Sequence, residues 1–128
     1  MTMVDLVGIP WQVHGRDTSG IDCVGLALLA QDVMCGRRLH FGQEYTAEDL
    51  GEKSQVISAE IVRYFVPCGE PCFAGVGVFE FPECLHVGTF VSRTHFLHIF
   101  EQRTSRISRL TPVYKRYLKE VYAWPEQQ

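Results

Sequence analysis

From Val76 onward the chain divides into short apolar segments, and this half limits the fold most tightly. VGVFEF, LHVGTFV, HFLHIF and RISRL are rich in β-branched and aromatic residues and are separated by proline or polar turns. That is the pattern of an antiparallel sheet, with VSRTH as a hairpin turn between the second and third segments. Helical patterns come earlier. Asp22 to Cys35 has a carboxylate at its start and Gly36 just past its end, and it is apolar on most faces, so it reads as a buried helix. Thr46 with Asp49 resembles a capping box opening a second helix from about Ala47 to Tyr64, with Leu50, Val56, Ile57, Ile61 and Phe65 on one stripe. The opening, Val4 to Gly20, reads as an irregular loop, and Pro67 to Pro71 as a break. Tyr114 to Trp124 fits either a last strand or a short helix. Helices first and strands second predict an α+β fold, with amino-terminal helices packed on a carboxy-terminal antiparallel sheet.

With 128 residues, 46% hydrophobic and 21% charged, and no repeat or linker, the chain is expected to form one domain, 1–128. A domain of this length buries roughly 65–70% of its unfolded surface and needs neither disulfides nor a metal to hold a core. A net charge of −3 and a pI near 5.9 argue against an electrostatic nucleic-acid binder. Arg103, Arg106 and Arg109 cluster, and read as a solvated edge before they read as a patch for an anionic partner. No amino-terminal segment resembles a signal peptide, and the apolar stretch Leu26–Ala30 is too short to span a bilayer. The expectation is a protein made in the cytoplasm without membrane insertion. Five cysteines, an odd number at irregular spacing, point to thiol reactivity rather than a disulfide framework.

Cys23 is the most informative of them. It follows Asp22 at the first turn of a buried helix, where unpaired N–H groups and the dipole favour an anion, so a lowered pKa is expected there. Its plainer reading is a small buried residue. His86 alternates with Leu85 and Val87 and so faces away from them, and His98 lies across the expected hairpin. A base on one strand oriented by a group on its neighbour is the logic of a catalytic triad, although each histidine alone reads as an ordinary polar residue. A rival set, Cys68, Cys72, Cys84 and His86, has the chemistry of a zinc site and would consume His86. Cys35 reads as packing, and His40 and His95 carry no argument.

The segment IPWQVHGRDTSGIDCVGLALL, with Gly20-Ile21-Asp22-Cys23-Val24-Gly25-Leu26 at its centre, resembles the signature of NlpC-type cell-wall cysteine peptidases. HVGTFVSRTHFLHIF resembles that family's second signature, and the order of the two also matches. The resemblance runs from about Ile9 to Leu110. It implies a papain-like domain with Cys23 as nucleophile, His86 as general base and His98 orienting the imidazole. The Cys23 backbone N–H would help hold the oxyanion, and no cofactor or metal would take part. In the first loop Trp11, His14, Arg16 and Asp17 are candidate substrate contacts, His14 beside Gly15 in the loop facing the site and Arg16 and Asp17 toward the charged termini of a stem peptide. Solvated loop residues are the plainer reading of His14, Arg16 and Asp17. Trp11 stands where many relatives carry a tyrosine, and Val24 where a serine is common. The DCVGL form and brevity are similar to the phage tail-associated branch, such as the tail-tip peptidases of lambdoid phages. That branch implies cleavage of the D-glutamyl–diaminopimelate bond of peptidoglycan stem peptides, a place in the virion tail and tail-hub or tail-tip partners. The alternative is a catalytically silent structural tail protein of the same fold.

Overall fold

The computed structural model describes residues 1–40 and 55–127. A 3-10 turn (Met3–Leu6) leads into a small hairpin of β1 (Arg16–Asp17) and β2 (Gly20–Ile21). Helix α1 (Cys23–Cys35) follows at once, and α2 (Gln55–Tyr64) comes next among the described residues. The rest is β3 (Val66–Pro67), β4 (Val76–Glu80), β5 (Leu85–Phe90), β6 (His95–His98), β7 (Arg106–Arg109), α3 (Pro112–Tyr117) and β8 (Leu118–Ala123). Six strands form one antiparallel sheet in the order β3-β8-β4-β5-β6-β7. The α+β expectation stands.

Helix α1 starts and stops where local chemistry requires. The Asp22 side chain caps it by accepting the Gly25 N–H at 2.8 Å. Gly36, at φ 66° in the left-handed region, ends it as a C-cap. The helix buries Val24, Leu26 and Ala30 against Val76, Val78, Val87, Leu97 and Ile99 of the sheet. A fully buried leucine such as Leu26 contributes about 1.5–3 kcal/mol. Ile57, Ile61 and Phe65 complete the same core, as their stripe predicts. The predicted capping box at Thr46 and Asp49, the start near Ala47 and Leu50 lie outside the described residues, as does the side chain of Val56.

The chain end belongs to this core as well. Trp124 donates its indole N–H to the Gln31 side chain at 2.9 Å, and Gln31 in turn donates to the Ala74 carbonyl at 2.8 Å. The ambiguous Tyr114 to Trp124 stretch is both things in turn. Thr111 caps α3 through its hydroxyl with Pro112 at the first turn, and β8 follows directly. The opening segment is more ordered than a plain loop. Its β1–β2 hairpin lies against α1, and Ser105 ties its start down by accepting the Ile9 N–H and donating to the Leu6 carbonyl.

The other sheet face holds a second cluster, Phe79, Phe90, Phe96, Leu110 and Val121, with Phe81, Tyr114 and Leu118 packed against it. Both faces of the central strands are therefore covered, one by helices and one by aromatic rings.

The hairpin and α1 approach so closely that Gly25 has no room for a side chain. A Cβ there would overlap the Gly15 carbonyl oxygen, which is backbone and cannot turn aside. Gly25→Ala is expected to cost about 2–3 kcal/mol, read as a lower urea midpoint with an unchanged slope. A midpoint equal to wild type would show that the hairpin gives way freely.

Candidate functional site

Asp22 organises the helix start. It is fully buried, and its carboxylate gathers three donors: the Gly25 N–H and Arg16 Nη1 (3.1 Å) on one oxygen, and the His14 N–H (2.7 Å) on the other. His14 adopts φ 65° to present that N–H. The next residue, Cys23, is thereby fixed at the first turn of α1, and it is 8% exposed.

Helix α1 carries the thiol onto the face of the sheet formed by β5 and β6. The β5–β6 ladder pairs Phe90 with Phe96 and Thr89 with Leu97 and goes no further, while β4 stays paired along the whole of β5. Cys23 lies close to Val87, next in sequence to His86. Among the described residues no hydrogen bond joins its sulfur to His86 or His98, whose bonds run to each other and to Ser108.

His86 lies on the aromatic side of the sheet, opposite Phe79 in the β4–β5 register. Its Nε2 is 2.9 Å from His98 Nδ1, and His98 Nε2 is 2.7 Å from the hydroxyl of Ser108 on β7. Phe100 stacks on the His86 ring at 4.4 Å between centroids and 17° between planes. Phe81 flanks the same ring, and Phe96 and Tyr114 pack on His98. Both imidazoles are thus held by hydrogen bonds in their ring planes and by aromatic contacts around them.

Burial sets the charge state. It pushes the Cys23 thiol up to about 12, with the Asp22 carboxylate adding to the rise and the Val87 N–H opposing it. The lowered thiol pKa expected from the helix start is therefore corrected: desolvation and a neighbouring carboxylate outweigh the end of the helix. Burial likewise lowers His86 to about 3, helped by His98. His98 falls to about 4 through burial and the nearby Arg106 cation. At neutral pH the three groups are a thiol and two uncharged imidazoles.

The first-loop residues fall in different places. Trp11 is half-buried against the main core, its backbone N–H donating to the Arg103 carbonyl at 3.0 Å. His14 and Arg16 both serve Asp22. Arg16 also borders a cleft of about 370 Å³ lined by Gly25, Leu28, Asp32, Arg38 and His40. Asp17 is exposed in the hairpin turn, where hydrogen bonds from the Ser19 N–H and hydroxyl hold its carboxyl below the ordinary range.

The rival zinc set does not assemble. Among the described residues no three His, Cys, Asp or Glu side chains converge as a metal site, and His86 is engaged by His98. Cys68 hydrogen-bonds the Glu70 carbonyl, and Cys68, Cys72 and Cys84 are all free thiols. Arg106 and Arg109 lie exposed on the edge strand β7, as a solvated edge would. Among the described residues no helix is long and apolar enough to cross a membrane.

Sequence reasoning overlooked Ser108, Phe100 and Phe81. Ser108 carries no local signal, since only the β6–β7 register brings it to His98. Phe81 and Phe100 flank the histidine segments but look like ordinary strand-end residues. Comparison with known proteins adds nothing to this geometry: no protein-family model matches the chain, and no curated protein matches it.

Proposed function

We propose that this chain is a papain-like cysteine peptidase of the NlpC type that hydrolyses peptidoglycan stem peptides at D-glutamyl–diaminopimelate type bonds. In this reading it is a phage tail component, partnered by tail-hub or tail-tip proteins and acting on the cell wall. The observation that carries the reading is a cysteine at a capped helix start together with a buried histidine hydrogen-bonded to a second histidine on the sheet that this helix packs against. The motif resemblance supplies the substrate class.

The neutral resting state shapes the mechanism. With the thiol near 12 and His86 near 3, a standing thiolate–imidazolium pair is disfavoured. The proton therefore moves to His86 as sulfur attacks the scissile carbonyl, in one general-base step. His86 Nε2 is taken by His98, so Nδ1 is the nitrogen that receives it. The tetrahedral oxyanion is held at the start of α1 by the Cys23 backbone N–H. His86 then returns the proton to the leaving amine, and water, deprotonated by the same ring, releases the acyl group from sulfur. Substrate carboxylates would be met by Arg16 at the edge of its cleft, with Trp11, His14 and Asp17 contributing the rest of the first-loop surface.

The closed, uncharged site also favours a second reading, a structural tail-hub or tail-tip part with the same fold and no turnover. Mass spectrometry of muropeptides incubated with the protein and with Cys23→Ala separates the two. The expected result is a cut after D-glutamate that is lost completely in the variant. Intact muropeptides with folded protein, both free and assembled into tails, would establish the structural reading.

A further inference from the structure

The hydrogen-bond chain from β5 to β7 has a direction, and that direction decides whether His86 can act as a base. Two neutral imidazoles sharing one hydrogen bond must have one N–H donor and one bare nitrogen at the 2.9 Å contact. If Ser108 accepts from His98 Nε2–H, then His98 Nδ1 is bare and accepts from His86 Nε2–H. His86 Nδ1 then carries a free lone pair. If the Ser108 hydroxyl instead donates to His98 Nε2, every proton shifts by one place. His98 Nδ1–H then donates to His86 Nε2, and His86 Nδ1 is protonated and cannot receive a proton from the thiol.

We infer that Ser108 is a positioning residue that accepts the His98 Nε2–H and so sets both imidazoles in the tautomer that leaves His86 Nδ1 basic. The hydrogen-bond chain closes on Ser108 at 2.7 Å, and two features of the site favour this arrangement. Ser108 is half-buried on the edge strand β7, so its own O–H proton can be given to solvent while its lone pairs face the ring. Arg106, opposite His98 in the β6–β7 register, keeps a cation near the ring and opposes its protonation, so the relay stays in its neutral form. Ser108 acts through His98 and touches neither the thiol nor a substrate. The inference rests on the peptidase reading for the use of the tautomer, but not for the tautomer itself.

Imidazole ¹⁵N chemical shifts at neutral pH test the wild-type protein directly. Both His86 and His98 are expected neutral and protonated on Nε2. A His98 protonated on Nδ1 would overturn the inference whatever the variants do. Ser108→Ala should then leave His98 as a tautomer mixture, and the rate at which iodoacetamide alkylates Cys23, followed on its own peptide by mass spectrometry, should fall about five- to tenfold. Ser108→Thr, which keeps the hydroxyl, should restore both. A folded Ser108→Ala with wild-type shifts and wild-type alkylation would also overturn it. Neither readout depends on muropeptide cleavage, so a protein with no peptidase activity would leave these signals as stated.

Discussion

Replacing Asp22 with alanine is expected to destabilise the protein by about 3 kcal/mol and to lower its melting temperature by roughly 10 °C. The size follows from what the carboxylate holds. Losing the helix cap alone costs about 1 kcal/mol. The change also strips acceptors from the Gly25 and His14 N–H groups at a fully buried position, and a buried donor left unmade costs about 1–3 kcal/mol. The ion pair with Arg16 adds little, since the arginine side chain is 37% exposed. Asp22→Asn keeps the shape but turns an N–H toward one of these donors, so an intermediate loss is expected. That variant also removes the charge that helps raise the Cys23 thiol, and iodoacetamide should alkylate Cys23 faster at a given pH. Scanning calorimetry decides the first point, and an alanine variant melting within a degree or two of wild type would refute this account of the helix start.

Stability is expected to fall steeply as the pH drops below about 6.5. His86 and His98 have the ordinary value of 6.5 when unfolded but about 3 and about 4 in the folded protein. Above pH 6.5 both states hold these rings neutral, and the histidines contribute no pH dependence. Between 6.5 and 4 the unfolded chain binds protons that the folded chain refuses, so stability is lost as pH falls and the loss levels off below the folded values. By pH 5 the penalty is on the order of 2 kcal/mol for each ring. Urea titrations at several pH values measure it. His98→Asn, uncharged throughout, should make the dependence markedly shallower. A flat stability profile between pH 5 and 7 would mean that the rings are hydrated and able to ionise in place.

How much of this was legible in the sequence differed from residue to residue. The cap at Asp22, the start of α1 at Cys23 and its end at Gly36 are local events, decided within a few residues, and they could be read directly. The four strand segments and the hairpin at VSRTH were equally plain, because alternation and turn chemistry are short-range. Thr111-Pro112 carried a helix-start signal just ahead of the stretch left open between helix and strand. The pairing of His86 with His98 was anticipated from the hairpin. The state of Cys23 was misjudged, since a helix start speaks for a thiolate while the packing that prevents one includes Cys84 and Val87, more than sixty residues away in the chain.

By itself the sequence determined the buried helix from Cys23 to Cys35 and the four strand segments after Val76, that Cys23 would sit at a capped helix start, and that two histidines would share one hairpin. These depend on neighbouring residues, where steric preference and single hydrogen bonds decide. The first-loop hairpin, β3 and the last strand were not fixed by it. Only the tertiary structure decided the rest: the packing of α1 on β5 and β6 that buries the thiol, the aromatic rings that dry the imidazoles, Ser108 at the end of the relay, and the donors gathered by Asp22. Each of these joins residues distant in sequence. Desolvation and hydrogen-bond partnership belong to the packed arrangement, so the charge carried by the site was written in its packing rather than in its motif.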